Sequence, residues 1–182
     1  PYLKAAGELK TKPTQHSVKE LQSIGIQPDI LVLRTEKHLN DGILKKVAAF
    51  CNVAQDCCIQ SEDLPSIYEV PVNMQKQGLD AAILKKMGLE VGATPELGPW
   101  KKFLERRNNA TKEVHIGLVG KYDLQDAYKS IREGLSQAGT YNDHKTVLTF
   151  INSEKLTDDN VAEMLKGQDG IVICPGFGQR GV

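Results

Sequence analysis

Aromatic residues make up only 5% of the 182 residues, and Lys plus Arg balances Asp plus Glu at 23 each, for a formal net charge of zero. The scarcity of rings argues against a base-stacking platform for single-stranded nucleic acid. The balance of charge leaves no bulk positive field for a nucleic-acid partner, so any anion must be held locally. No apolar run approaches the roughly 20 residues of a membrane span, and no secretory signal is visible. The four cysteines, Cys51, Cys57, Cys58 and Cys174, form no C-x-x-C pair. Adjacent Cys57 and Cys58 suit neither a routine disulfide nor a zinc site. All four read as reduced, mostly buried thiols of a cytosolic protein, with no nucleophile turn around any of them. There is no internal repeat and no low-complexity segment.

Among the features present, the run Gly7-Glu8-Leu9-Lys10-Thr11-Lys12-Pro13-Thr14-Gln15-His16-Ser17 is the richest in chemistry. Lys10 and Lys12 offer ammonium donors for phosphate oxygens, and Thr11 and Thr14 add hydroxyls. Pro13 biases Lys12 toward extended backbone, which predicts Lys10 and Lys12 on one side of an extended stretch. Gln15 carries an acceptor and a donor suited to the amide edge of a pyrimidine. Ser17 is expected to cap a helix starting at Val18, with Glu20 completing a capping box. An anion is favoured at such a helix start. Taken alone, the run is also compatible with a solvated basic loop before an ordinary helix. His16 reads as a structural helix-entry residue.

Periodicity divides the chain unequally. Ile30–Leu33 is predicted as a buried strand, and Gly42–Phe50 as a helix with Ile43, Val47 and Phe50 on its apolar face. Cys57–Gln60 is expected to be the next strand, followed by helices near Val72–Gln77 and Leu79–Met87. Residues 90–99 hold Gly92, Pro95, Gly98 and Pro99, a density of breakers that marks a linker; a polar helix near Trp100–Asn108 is assigned to it. From Glu113 the pattern is strand Val114–Val119, helix Asp126–Ala138, strand Thr146–Ile151, a helix capped by Thr157 and running to Lys166, and strand Ile171–Cys174. Strand and helix in alternation imply parallel pairing. The last strand runs into Pro175-Gly176-Phe177-Gly178, at the strand end where open α/β sheets place ligands. Small residues there suit close approach to a ligand and backbone donation to an oxyanion; a glycine-rich turn closing a βα unit has the same composition.

The stretch from Pro1 to Leu21 resembles the nucleotide-binding segment of the CTP synthases. The resemblance continues through Ser23–Ile30, Phe50-Cys51-Asn52-Val53, Ser66-Ile67-Tyr68, Gly117–Tyr122, Asp126–Ser130 and Pro175–Gly181, in order across the whole chain. It implies an α/β protein made of parts of two doubly wound parallel-sheet domains. Residues 1–89 would be the C-terminal part of a P-loop-type synthetase (amidoligase) domain, 90–112 an interdomain linker, and 113–182 the N-terminal part of a class I glutamine amidotransferase domain. The implied activity of the whole enzyme is ATP-dependent amination of UTP to CTP with ammonia from glutamine, the last step of de novo CTP synthesis.

By the same resemblance, Lys10, Thr11, Lys12, Pro13, Thr14, Gln15 and Lys46 would bind UTP or CTP. Glu62, Asp63 and Leu64 would lie beside the ATP adenine, and Gly176 would bind glutamine. Two departures stand out. Glu62 reverses the charge of a family Lys, and Pro175 replaces a family Gly and has no N–H to donate. The implied Mg2+ ligands, the nucleophilic cysteine with its His and Glu partners, and the phosphate loop are expected outside this chain, so no catalytic or metal-binding residue is assigned within it. The chain is therefore expected to be an internal segment, inactive alone. The partners implied are UTP, CTP, ATP and L-glutamine, GTP as an allosteric activator, and a cytoplasmic homotetramer formed through the synthetase domain. Two other readings remain open: a non-catalytic nucleotide-binding or assembly module, and a different amidotransferase fused to another synthetase.

Overall fold

The computed structural model describes residues 2–3, 8–123, 126–176 and 178. The chain forms two compact units, Pro1–Leu97 and Gly98–Val182. The expected positions Gly7, Phe177 and Gln179–Gly181 lie outside the described residues.

In the first unit β1 (Tyr2–Leu3) pairs antiparallel with β2 (Glu8–Leu9), and α1 (Lys12–Ser23) follows at once. The helix therefore begins six residues before the expected Val18. Pro13 occupies its first turn, where a fixed φ and a missing N–H cost nothing, and this outweighs the extended bias on Lys12. Thr11 is the N-cap residue, although its side chain makes no cap bond. Ser17 is an interior residue whose Oγ donates back to the Pro13 carbonyl at 3.1 Å. Lys12 is thus helical, and it shares no extended face with Lys10.

β3 (Leu31–Thr35) and β4 (Cys58–Glu62) form a parallel pair with Leu31 opposite Cys58 and Thr35 opposite Glu62. Between them runs α2 (Asp41–Cys51), whose Asn40 side chain accepts the Ile43 N–H and whose Asn52 closes the helix in the left-handed conformation. The α2 stripe centres on Val47, Ala48 and Cys51, which pack with Val18, Leu33, Leu39 and Cys58 into one core. Val47 is 2% exposed, and burying such a side chain contributes about 1.5–3 kcal/mol. Phe50 falls on the far flank of that stripe and is exposed, contrary to its expected place in the core.

Two short helices, α3 (Val70–Lys76) and α4 (Leu79–Lys86), complete the unit. Between them Gln77 imitates a strand. Its Oε1 accepts the Gln60 N–H at 2.7 Å and its Nε2 donates to the Gln60 carbonyl at 2.8 Å. One side chain thereby satisfies both backbone groups of Gln60 at the β4 edge. Gln77→Ala is expected to destabilise the unit by about 1–3 kcal/mol, since it leaves a part-buried donor and acceptor unpaired. Urea unfolding followed by far-UV circular dichroism measures this, and an unchanged midpoint would refute it.

The second unit opens with α5 (Gly98–Asn109). This helix, part of the expected 90–112 linker, is fastened to α6 (Lys129–Tyr141). Phe103 lies between the rings of Trp100 and Tyr141, with centroids 5.3 and 5.7 Å away. Arg106 grips Asp143 through Nε and Nη2 at 2.9 and 3.1 Å, and Arg107 Nη1 donates to Ser136 Oγ at 2.8 Å. Phe103, Arg106 and Arg107 are three and four apart, hence on one face. The Arg106 guanidinium holds the exposed Asp143 carboxyl below its ordinary value.

β5 (Lys112–Gly120) is central in a three-stranded sheet, paired parallel with β6 (His144–Asn152) on one side and β7 (Gly170–Ile173) on the other. Both sheets with βα crossovers are parallel, as expected for an α/β protein. Leu118, Tyr128 and Cys174 are buried together, with Leu135, Phe150 and Val172 packed around them. α7 (Val161–Met164) is only one turn long, with Asn160 rather than Thr157 at its N-cap. Asn160 Oδ1 accepts the Thr157 N–H at 2.8 Å, which turns Thr157–Asn160 into a loop.

Candidate functional site

The first unit has a groove of about 440 Å3, bounded by the first turns of α1, the carboxyl half of β3 and one face of α2. That volume suits a small-molecule ligand, and the carboxyl end of parallel strands is where such sites form. Its polar lining includes Lys10, Thr11, Thr14, Arg34 and Thr35, above an apolar floor that includes Val32, Leu39 and Val47. The α1 N-terminus adds unsatisfied N–H groups and the positive end of the helix dipole. Two cations, Lys10 and Arg34, four hydroxyls, those of Thr11, Thr14, Ser17 and Thr35, and a helix start thus line one groove.

Gln15 is buried, and its Nε2 donates to Thr11 Oγ1 at 3.1 Å. The Thr11 hydroxyl accepts that bond, so its own proton is left for another acceptor. Lys12 and Lys46 are exposed, and neither is among the residues lining the groove, although Ile43 and Val47 of the Lys46 helix are. Lys10 pairs with Glu8.

Glu62, Asp63 and Leu64 leave the carboxyl end of β4 beside the groove. The Asp63 N–H donates to the Thr35 carbonyl at 3.1 Å. The Asp63 carboxylate pairs with Arg34, whose Nη1 also donates to the Ser61 carbonyl at 3.1 Å. Glu62 Oε1 stands 2.7 Å from His38 Nδ1. Arg34 therefore lines the groove along with Lys10, Thr11 and Thr14 while pairing with Asp63, and sequence reasoning did not single it out. A clue was present: an Arg one residue from the end of an otherwise apolar strand, at the edge where ligands bind.

In the second unit, Gly176 is half-buried just beyond β7. The Cys174 N–H donates to the Val119 carbonyl at 2.8 Å, holding the Pro175–Gly176 turn beside the end of β5. All four cysteines are free and buried. Burial pushes the Cys58 thiol up to about 11, with neighbouring Cys51 and Cys57 adding to the rise. Such protonated thiols are poor nucleophiles at neutral pH.

The fold defines an α/β protein with a groove at the carboxyl ends of parallel strands. Residues 1–89 match the family described as CTP synthase N-terminus. The chain is 72% identical over 184 residues to the CTP synthase of Bacteroides thetaiotaomicron, and 62% identical over 183 residues to that of Porphyromonas gingivalis. It is 50% identical over 189 residues to that of Methanocaldococcus jannaschii. The chain belongs to the CTP synthase family. Each of these matches covers 100% of this chain but only 34–35% of the relative, so the chain spans about a third of the length of the curated relatives it matches.

Magnesium, which the resemblance implies, does not fit the groups around the groove. Glu8, Glu62 and Asp63 are each engaged with a basic side chain, and among the described residues no three His, Cys, Asp or Glu side chains come together as a metal site. Among the same residues, no helix is long and apolar enough to cross a membrane.

Proposed function

We propose that this chain acts as a segment of a complete CTP synthase, the ligase that aminates UTP to CTP using ATP and ammonia released from glutamine. The observation that carries the reading is the groove at Lys10, Thr11, Thr14 and Arg34, in a chain 72% identical to a CTP synthase. Residues 1–89 then belong to the synthetase half, 90–112 to the linker and 113–182 to the amidotransferase half.

In the synthetase half, Lys10 and the Thr11 and Thr14 hydroxyls hold phosphate oxygens of UTP or CTP. Gln15 orients Thr11 as a donor in that set. Lys12 and Lys46, exposed and outside the groove lining, add weaker, solvent-screened contacts to the same nucleotide, and the synthetase half assembles as a homotetramer. Glu62, Asp63 and Leu64 lie beside the ATP adenine. Clustered cations and hydroxyls lower the cost of gathering phosphate charge before O4 of the uracil is activated. In the amidotransferase half, the Pro175–Gly176 turn lies against bound glutamine. Because Pro175 has no N–H, the donor from this turn is Gly176. GTP as an activator and a cytoplasmic location complete the reading.

The test is direct. The complete enzyme containing this chain is expected to form CTP from UTP, ATP and glutamine, while the 182-residue chain alone forms neither CTP nor glutamate. Absence of CTP from the complete enzyme would overturn the assignment, and robust CTP formation by the chain alone would overturn its being a dependent segment.

A further inference from the structure

Two polar side chains of β4 share one face, since alternate strand residues do. The register sets Gln60 beside Leu33 and Glu62 beside Thr35, and both of those β3 residues line the groove. Gln60 and Glu62 each reach the loop between β3 and α2. Glu62 meets His38, and Gln60 Oε1 accepts the Leu39 N–H at 2.7 Å. Thr35 folds the start of the same loop: its Oγ1 donates to the Lys37 carbonyl at 2.6 Å and accepts the Lys37 N–H at 3.2 Å. Asn40, the next residue after Leu39, caps α2.

Gln60 is 7% exposed. An apolar side chain would fill such a position without desolvation cost, whereas a buried amide has to be paired. Its carbonyl goes to one backbone N–H, that of the residue before the α2 N-cap. The bond therefore fixes where Leu39 stands and where α2 begins. Leu39, Ile43 and Val47, all on this stretch, line the apolar side of the groove. The backbone of Gln60 is held separately, by the Gln77 side chain.

We propose that Gln60 is a positioning residue for the nucleotide. Through the Leu39 N–H it sets the apolar wall of Leu39, Ile43 and Val47. The nucleoside portion of UTP or CTP packs against that wall while Lys10, Thr11 and Thr14 hold the phosphates. The inference rests on the reading of the groove as the UTP or CTP site.

The complete enzyme carrying Gln60→Met keeps an unbranched side chain of similar length and the backbone pairing with Gln77, and loses the acceptor. Its KM for UTP is expected to rise about three- to tenfold, the range of one hydrogen bond, with the KM for glutamine unchanged. Gln60→Glu keeps an acceptor whatever its charge, and its KM for UTP should stay near the wild-type value. Gln77→Ala is the control: it unpairs the Gln60 backbone but leaves the Leu39 bond, so it should lower stability without raising that KM. Hydrogen–deuterium exchange of the complete wild-type enzyme should show the Leu39 amide protected. An unprotected Leu39 amide, or an unchanged UTP KM in Gln60→Met, would overturn the proposal. So would equal rises in Gln60→Met and Gln77→Ala, the mark of a general structural role. A UTP KM that also ignores Lys10→Ala and Arg34→Ala would instead overturn the underlying reading of the groove.

Discussion

Replacing Gly139 by Ala is expected to destabilise the second unit, and replacing Gly134 on the same helix by Ala to stabilise it. Both lie in α6, where Ala is favoured over Gly by about 1 kcal/mol in a helix interior. Their surroundings differ. A Cβ at Gly134 meets nothing within 4 Å, whereas one at Gly139 would collide with Thr146 Oγ1 and come within 3.0 Å of the His144 carbonyl. Neither neighbour yields easily. The His144 backbone is held opposite Lys112 in the β5–β6 ladder, and Thr146 Oγ1 donates to the Leu135 carbonyl at 3.1 Å. Overpacking of this kind costs about 1–3 kcal/mol, and displacing Thr146 forfeits a hydrogen bond worth about 1 kcal/mol. After the helix preference is subtracted, the net loss is about 1–3 kcal/mol, or about 5–20 °C in Tm for a unit of this size. Thr146→Ala should recover part of the loss in Gly139→Ala. Trp100 is the one tryptophan and stacks on Phe103 in this unit, so its fluorescence follows the unfolding of interest. Tm shifts of the same sign for Gly134→Ala and Gly139→Ala would defeat the argument.

The close contact of Gly139 with β6 belongs to a class of features that one-dimensional pattern does not carry. Strand positions were readable because β3, β5, β6 and β7 each contain an apolar run, and the alternation of strands with helices implied the parallel pairing that is found. Helix starts were less readable where two rules competed. Ser17 with Glu20 satisfies the capping-box pattern, but Pro13 is equally suited to a first helical turn, and the earlier start prevailed. Phe50 shows the same limit in the core: its spacing from Ile43 is helical, yet the stripe is set by which flank meets β3 and α1. Of the groove, Lys10, Thr11 and Thr14 were visible from residue type and order. Arg34 was not, because its place depends on the register that sets Thr35 against Glu62. The pairing of Gln77 with Gln60 spans 17 residues and follows no local pattern.

The groove offers the second large effect. Lys10→Ala in the complete enzyme is expected to raise the KM for UTP about 10–100-fold, since a charge-assisted hydrogen bond contributes about 1.5–3 kcal/mol. The sign of its neighbour's effect is opposite. Glu8 now pairs with Lys10 on the surface, so Glu8→Gln removes a carboxylate that phosphate must displace, and KM should fall slightly, by the worth of a surface ion pair, about 0–1 kcal/mol. Arg34→Ala deletes a cation from the groove and also leaves the neighbouring Asp63 carboxylate without that partner. Its rise in KM should therefore match or exceed that of Lys10→Ala. Lys12 lies outside the groove lining and is exposed, and its charge is screened by solvent. Lys12→Ala should cost only about threefold on the scale of exposed ion pairs. The Lys10 effect should shrink as ionic strength rises, because about 0.15 M salt shortens the range of such forces to about 8 Å. Equal losses from Lys10→Ala and Lys12→Ala would instead mean that a second copy closes over Lys12 and completes the site. A UTP KM that ignores both Lys10 and Arg34 would remove the groove from nucleotide binding altogether.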